Sequence, residues 1–151
     1  MFVKKLRKSI TKLILPFIHT IFKLLKANTR AVNFLNEKKN IANYAYNIER
    51  NILKENVRAI DLVSRYGGEE FVVILINTSA ENARPVGERI VETIAEYPFD
   101  YDGEKVQMTI SAGMSEYPTQ DKSLKGLIDY ADQAMYNVKQ KGGNDIILYE
   151  N

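Results

Sequence analysis

Phe71-Val72-Val73-Ile74-Leu75-Ile76 is apolar at every position and rich in β-branched residues. Such a run reads as a central strand covered on both faces, because successive side chains of a strand point to opposite sides of the sheet. It is entered from Leu62 to Tyr66 through Gly67-Gly68-Glu69-Glu70. Two strand-like segments joined by glycines predict a tight hairpin, since glycine reaches positive φ without steric cost. The tip then projects adjacent carboxylates to different sides, so Glu69 and Glu70 serve different purposes. One could hold a divalent cation, because oxygen ligands on a hard cation suit phosphate chemistry. The plainer alternative is a surface hairpin with two solvated glutamates.

A chain of 151 residues with 45% apolar and 26% charged residues is long enough for one domain with a real core. It has no cysteine, which excludes disulfides and thiolate metal sites and fits a reducing compartment. The net charge of +2 hides an asymmetry. Residues 1–40 carry ten Lys or Arg against Glu37 alone, whereas residues 41–151 carry eleven against eighteen acids. This division predicts a basic segment with a linker over 1–40 and an acidic domain over 41–151.

In the basic segment Leu6, Ile10, Leu13, Ile14, Phe17, Ile21, Leu24 and Leu25 recur near the helical period, with lysines between them. Met1 to about Ala27 is therefore expected to form a basic amphipathic helix, divided at Pro16. It is too short and too charged for a membrane span, so it either lies on an anionic membrane surface or packs on this domain or a partner. Thr29 to Asn40 reads as a polar connection. Beyond it, Ile41, Tyr44, Ala45, Ile48 and Ile52 mark a helix ending near Val57. Thr78 and Glu81 suggest a capping box for a helix whose buried stripe is Val86, Ile90, Val91 and Ile94. Val106, Met108, Ile110 and Ala112 alternate with polar residues as one half-covered strand. Leu124, Leu127, Ile128, Ala131, Met135 and Val138 give a last helix with Gly142 as its stop, before a short strand from Ile146 to Tyr149.

Asn56-Val57-Arg58-Ala59-Ile60-Asp61-Leu62 followed by Arg65 to Phe71, then Thr109 to Gly113, Ala131 to Tyr136, Lys139 and Gly142-Gly143-Asn144, closely resembles the GGDEF family of diguanylate cyclases. The resemblance covers about residues 41–151. It implies an α/β (α+β) fold, an antiparallel-rich sheet with helices on one face, similar to the nucleotidyl-cyclase and ferredoxin-like palm. It also implies condensation of two GTP molecules into cyclic di-GMP and pyrophosphate, with Mg2+ or Mn2+ as cofactor and two domains facing each other.

On this resemblance Glu69 matches a metal-binding acid and Glu70 a second catalytic acid. Gly67 and Gly68 let backbone approach the nucleotide, and Lys139 matches a phosphate contact. Arg58 and Asp61 match an inhibitory site that binds the product, joined by Arg89. For Arg58 with Asp61 alone, a turn ion pair is the competing reading; for Lys139 alone it is a solvated lysine at a helix end. The family's Asp-x-Asp strand and following helix have no match, for residues 1–60 contain neither aspartate nor glycine. Asn33, Asn36 and Asn43 sit in no matching context. The domain thus reads as N-terminally truncated, with a central strand missing and an open sheet edge. That leaves a homodimer or completion by another chain, no nucleic-acid partner, and a cytoplasmic location, at the inner membrane face if residues 1–27 touch lipid. A cyclase, a non-catalytic cyclic di-GMP-binding module and a truncated remnant remain as readings.

Overall fold

The computed structural model describes residues 18–26, 39–101 and 103–150. Its elements are β1 (Ile18–Lys26), α1 (Lys39–Asn56), β2 (Leu62–Arg65), β3 (Glu70–Ile76), α2 (Ala80–Glu96), β4 (Phe99–Tyr101), β5 (Glu104–Val106), β6 (Ile110–Glu116), α3 (Leu124–Gln140) and β7 (Asp145–Leu148). Five strands form one sheet in the order β2-β3-β1-β6-β7, and β4 with β5 forms a separate ribbon. All pairings are antiparallel except β6 with β7.

The central strand comes from the basic segment. Ile18–Lys26 is a strand and not part of an amphipathic helix. It lies between β3 and β6, with Phe22 opposite both Val73 and Met114. The apolar spacing of this stretch suits either element, and two partner strands decide for the extended one by taking up its backbone N–H and C=O groups. Thr20, Phe22 and Leu24 are buried at strand alternation. The central gap and open edge expected from the missing first strand are therefore filled, and residues 18–26 share a sheet with the segments beyond residue 60. The basic stretch 1–17, the polar connection as far as residue 38, and Asn33 and Asn36 lie outside the described residues.

Helices cover both faces of the sheet. On one, Ala45, Ile52 and Leu53 of α1 and Ile90 and Ile94 of α2 pack with Phe22, Phe71, Val73 and Met114. On the other, Leu124, Leu127 and Ala131 of α3 pack with Val72 and Ile74. Placing the helices on one face only is thus corrected, and the fully apolar β3 is the physical reason: each of its faces needs a cover. Gly113 admits α3 closely, since a Cβ there would collide with the carbonyl oxygen of Ala131 and the amide nitrogen of Met135.

Local signals held unevenly. The α2 cap is Ser79 and not Thr78; the Ser79 hydroxyl accepts from the Asn82 amide. The strand expected through Val106 and Ala112 is split, β5 joining β4 and β6 joining the main sheet. After α3 the chain turns at Gly142 and Gly143, with φ of 109° and 76°, where a side chain would be strained.

Candidate functional site

The hairpin tip is fixed by its own backbone and by Arg65. The amides of Tyr66 and Gly67 both donate to the Glu70 carbonyl, at 2.8 and 3.3 Å. Arg65 Nε and Nη2 donate to the carbonyls of Gly67 and Gly68, at 3.1 and 2.7 Å. The same guanidinium lies 4.5 Å from the centre of the Tyr46 ring, and Tyr46 stacks on Phe71. Neither tip glycine uses positive φ. Their smallness matters differently: Glu70 Oε2 lies about 3.0 Å from where a Gly67 Cβ would stand, while the space beside Gly68 is open.

Glu69 and Glu70 do diverge. Glu69 lines a cavity of about 10 Å³ together with Leu24, Glu49, Leu53, Phe71, Ile94 and Ile110, on the α1 and α2 face. Glu70 follows the alternation of Val72 and Ile74, toward α3. Glu49, 2% exposed, escaped the sequence reading, although an acid between Ala45 and Leu53 on an apolar stripe was a readable signal.

Among the described residues the surroundings of Glu69 do not supply the roughly six oxygen ligands that a hard divalent cation takes. Two carboxylates reach this cavity and its other walls are hydrocarbon. The end of β1 brings Leu24 and Leu25 opposite Phe71 and Glu70, and Lys26 opposite Ile110, with no acid. Among the described residues no three His, Cys, Asp or Glu gather into a metal-holding group.

Lys139 stands at the same end of the sheet as the hairpin. Register sets Glu70, Leu25, Ser111 and Asp145 in one row across β3, β1, β6 and β7. The exposed last turn of α3, with Lys139, leads into β7 through a turn in which the Gly143 amide donates to the Val138 carbonyl. Three strand spacings, about 14 Å, separate the Glu70 and Asp145 positions.

Arg58 and Asp61 occupy the opposite end of the hairpin. Arg58 Nη2 donates to Asp61 Oδ1 at 2.9 Å and Nε to Oδ2 at 3.1 Å. The backbone amides of Arg58 and Ile76 donate to the same carboxylate, each at 2.9 Å. Four donors therefore occupy the four acceptor positions of an ionised carboxylate. Burial alone would raise the Asp61 pKa, but the Arg58 guanidinium and the two amides outweigh it and hold the carboxyl below its usual range. Arg58 Nη2 also donates to the Ile76 carbonyl and to Thr78 Oγ1. Arg89, on α2, donates from Nε and Nη2 to the side chain and carbonyl of Asn56. The structure thus brings Arg89 to the end of α1, two residues before Arg58, and sets the whole group apart from Glu69, Glu70 and Lys139. Asn56 and Thr78, which tie these arginines down, were missed, since nothing in the sequence pairs them with distant residues.

Residues 49–145 match the model of the diguanylate cyclase GGDEF domain. Diguanylate cyclase A of Treponema denticola is 45% identical over 100 residues, covering 66% of this chain and 27% of that protein. A solved structure of the active GGEEF domain of a diguanylate cyclase from Vibrio cholerae superposes with a TM-score of 0.83 at 23% identity, covering 98% of this chain and 96% of that one. The GGDEF domain of DgcB from Caulobacter crescentus, solved in complex with c-di-GMP, gives a TM-score of 0.73 at 19% identity and covers 99% and 84% of the two chains. The chain belongs to the GGDEF family, whose curated members here are diguanylate cyclases and related proteins. It spans between 12% and 28% of the length of the curated relatives it matches. No helix among the described residues is long and apolar enough to cross a membrane.

Proposed function

We propose that the chain acts in cyclic di-GMP signalling as a diguanylate-cyclase-type domain, with GTP handled at the hairpin tip and the product held at Arg58. In the reaction each 3′-hydroxyl attacks the α-phosphorus of the other GTP; a P–O bond forms and the bond to pyrophosphate breaks. One GTP sits on each of two facing copies, so the active form is a homodimer or a pair with another chain. Gly68 leaves room for phosphates, Gly67 leaves room for the Glu70 side chain, and Lys139 offers them positive charge. Mg2+ or Mn2+ is the family's cofactor and Glu69 the acid that corresponds to its ligand. Because the described donors do not fit such an ion, the reading rests on positioning by the chain's own residues. GTP as substrate points to the cytoplasm.

The observation that supports this reading best is the pinned tip, where Arg65 fixes the carbonyls of Gly67 and Gly68 next to Glu69, which lines its cavity. A second reading, a receptor that binds cyclic di-GMP without turnover, is favoured by the contrast between the two ends. Arg58 and Asp61 are joined at one end, whereas among the described residues no three acids gather at the other.

One assay separates them. Purified chain is incubated with GTP and Mg2+ or Mn2+, and cyclic di-GMP is measured and then titrated. Turnover abolished by Glu69→Ala supports the cyclase. Absence of turnover with binding that Arg58→Ala abolishes supports the receptor. Failure of both sinks both.

A further inference from the structure

We infer that Thr78 is a positioning residue for the Arg58 guanidinium, holding it as a fixed cationic plate for a guanine dinucleotide; this rests on the product-site reading. Among the described residues the Arg58 guanidinium bonds through Nε, to Asp61, and through Nη2, whose two hydrogens are shared among Asp61 Oδ1, the Ile76 carbonyl and Thr78 Oγ1, the last at 2.8 Å. Thr78 Oγ1 donates in turn to the Ile76 carbonyl at 3.0 Å, so the hydroxyl is oriented with its acceptor side toward Nη2. The Thr78 carbonyl accepts from Thr20 Oγ1 at 2.7 Å, and Thr20 is fully buried in β1. A chain of hydrogen bonds therefore fastens the arginine to the middle of the sheet.

The Arg58 side chain is nonetheless 54% exposed, and among the described residues no acceptor reaches Nη1. Its two hydrogens and one flat face remain for guanine edges or phosphate oxygens. Asp61, which accepts from four donors within the chain, holds Arg58 from the other side. A guanidinium held in advance loses less rotamer freedom on binding, which is where Thr78 contributes.

Thr78→Val keeps the size, and the α2 cap at Ser79 is untouched. Calorimetric titration with cyclic di-GMP is expected to show affinity reduced about threefold to tenfold, the worth of one hydrogen bond. Thr78→Ser restores it, and the thermal midpoint stays put in both. In ¹⁵N NMR the Arg58 guanidinium rotates faster in Thr78→Val than in wild type. Wild-type affinity in Thr78→Val, a loss that serine fails to restore, or a loss matched by a fall in thermal midpoint would overturn the inference. If wild type and Arg58→Ala both fail to bind, the product-site reading falls. The NMR comparison then still decides Thr78, because identical Arg58 signals in wild type and Thr78→Val overturn its positioning role.

Discussion

Arg89 closes the C-terminal end of α1 through Asn56: its Nε donates to Asn56 Oδ1 at 2.7 Å and its Nη2 to the Asn56 carbonyl at 2.9 Å. Asn56 Nδ2 meanwhile donates to the Ile52 carbonyl, so one asparagine ties the last turn of its own helix to α2. A cation at a helix C-terminus meets the negative end of the dipole and two otherwise unserved acceptors.

Arg89→Ala should therefore lower stability by about 1 to 2 kcal/mol, the cost of two hydrogen bonds to an exposed charged group. Urea denaturation checks this. An unchanged midpoint would show that water serves Asn56 equally well.

Asp61 predicts an acid-side pH dependence. Its pKa is depressed in the folded chain, so the stabilisation is fully present above the ordinary aspartate value of about 3.9 and is lost as pH falls through the depressed one. Wild type should lose stability between pH 5 and pH 2, roughly, more steeply than Asp61→Asn. At pH 7 the variant should be less stable by about 2 kcal/mol, because one oxygen acceptor becomes a donor facing donors. Parallel pH profiles would refute the assignment.

Phe22 tests the identity of the central strand. Fully buried between α1, α2 and the sheet, it should cost about 3 to 5 kcal/mol when cut to alanine. Tyr136→Ala, at a side chain exposed on α3, is the control. Equal, small effects of both on the thermal midpoint would return Ile18–Lys26 to the surface.

Gly113→Ala should destabilise by about 1 to 3 kcal/mol, as overpacking does, because the added methyl meets α3 backbone and not a side chain that can turn away. Gly68→Ala, with open space around it, should leave the thermal midpoint nearly unchanged. If the two behave alike, α3 does not sit on β6 as described.

Much of this was readable along the chain. The Leu62–Ile76 hairpin, α1, α2 and α3 announce themselves by local means: β-branched runs, glycines, and apolar residues at helical spacing. The same residues carry the family resemblance, so the hairpin and the Arg58–Asp61 pair are legible in the sequence. β1 was not. Ile21, Leu24 and Leu25 satisfy a helical period, and only the flanks offered by β3 and β6 make the extended form better. The β4–β5 ribbon had a signal in Asp102-Gly103 that the broader alternation from Val106 onward concealed. At the arginine end the sequence suggested partners for a ligand. The fold shows Asp61 already engaged by Arg58 and two amides, a saturation that depends on where Ile76 comes to lie.

The place of β1 has a temporal consequence. Phe22 is made well before its two neighbours, Val73 and Met114, which follow it by 51 and 92 residues (73 − 22 and 114 − 22). Closing such long loops precedes the reward of pairing, so the sheet cannot assemble by local steps, and folding should be slow for the length. Until β6 emerges from the ribosome one side of this lysine-bearing strand stays unpaired, and its charges then help keep nascent copies apart.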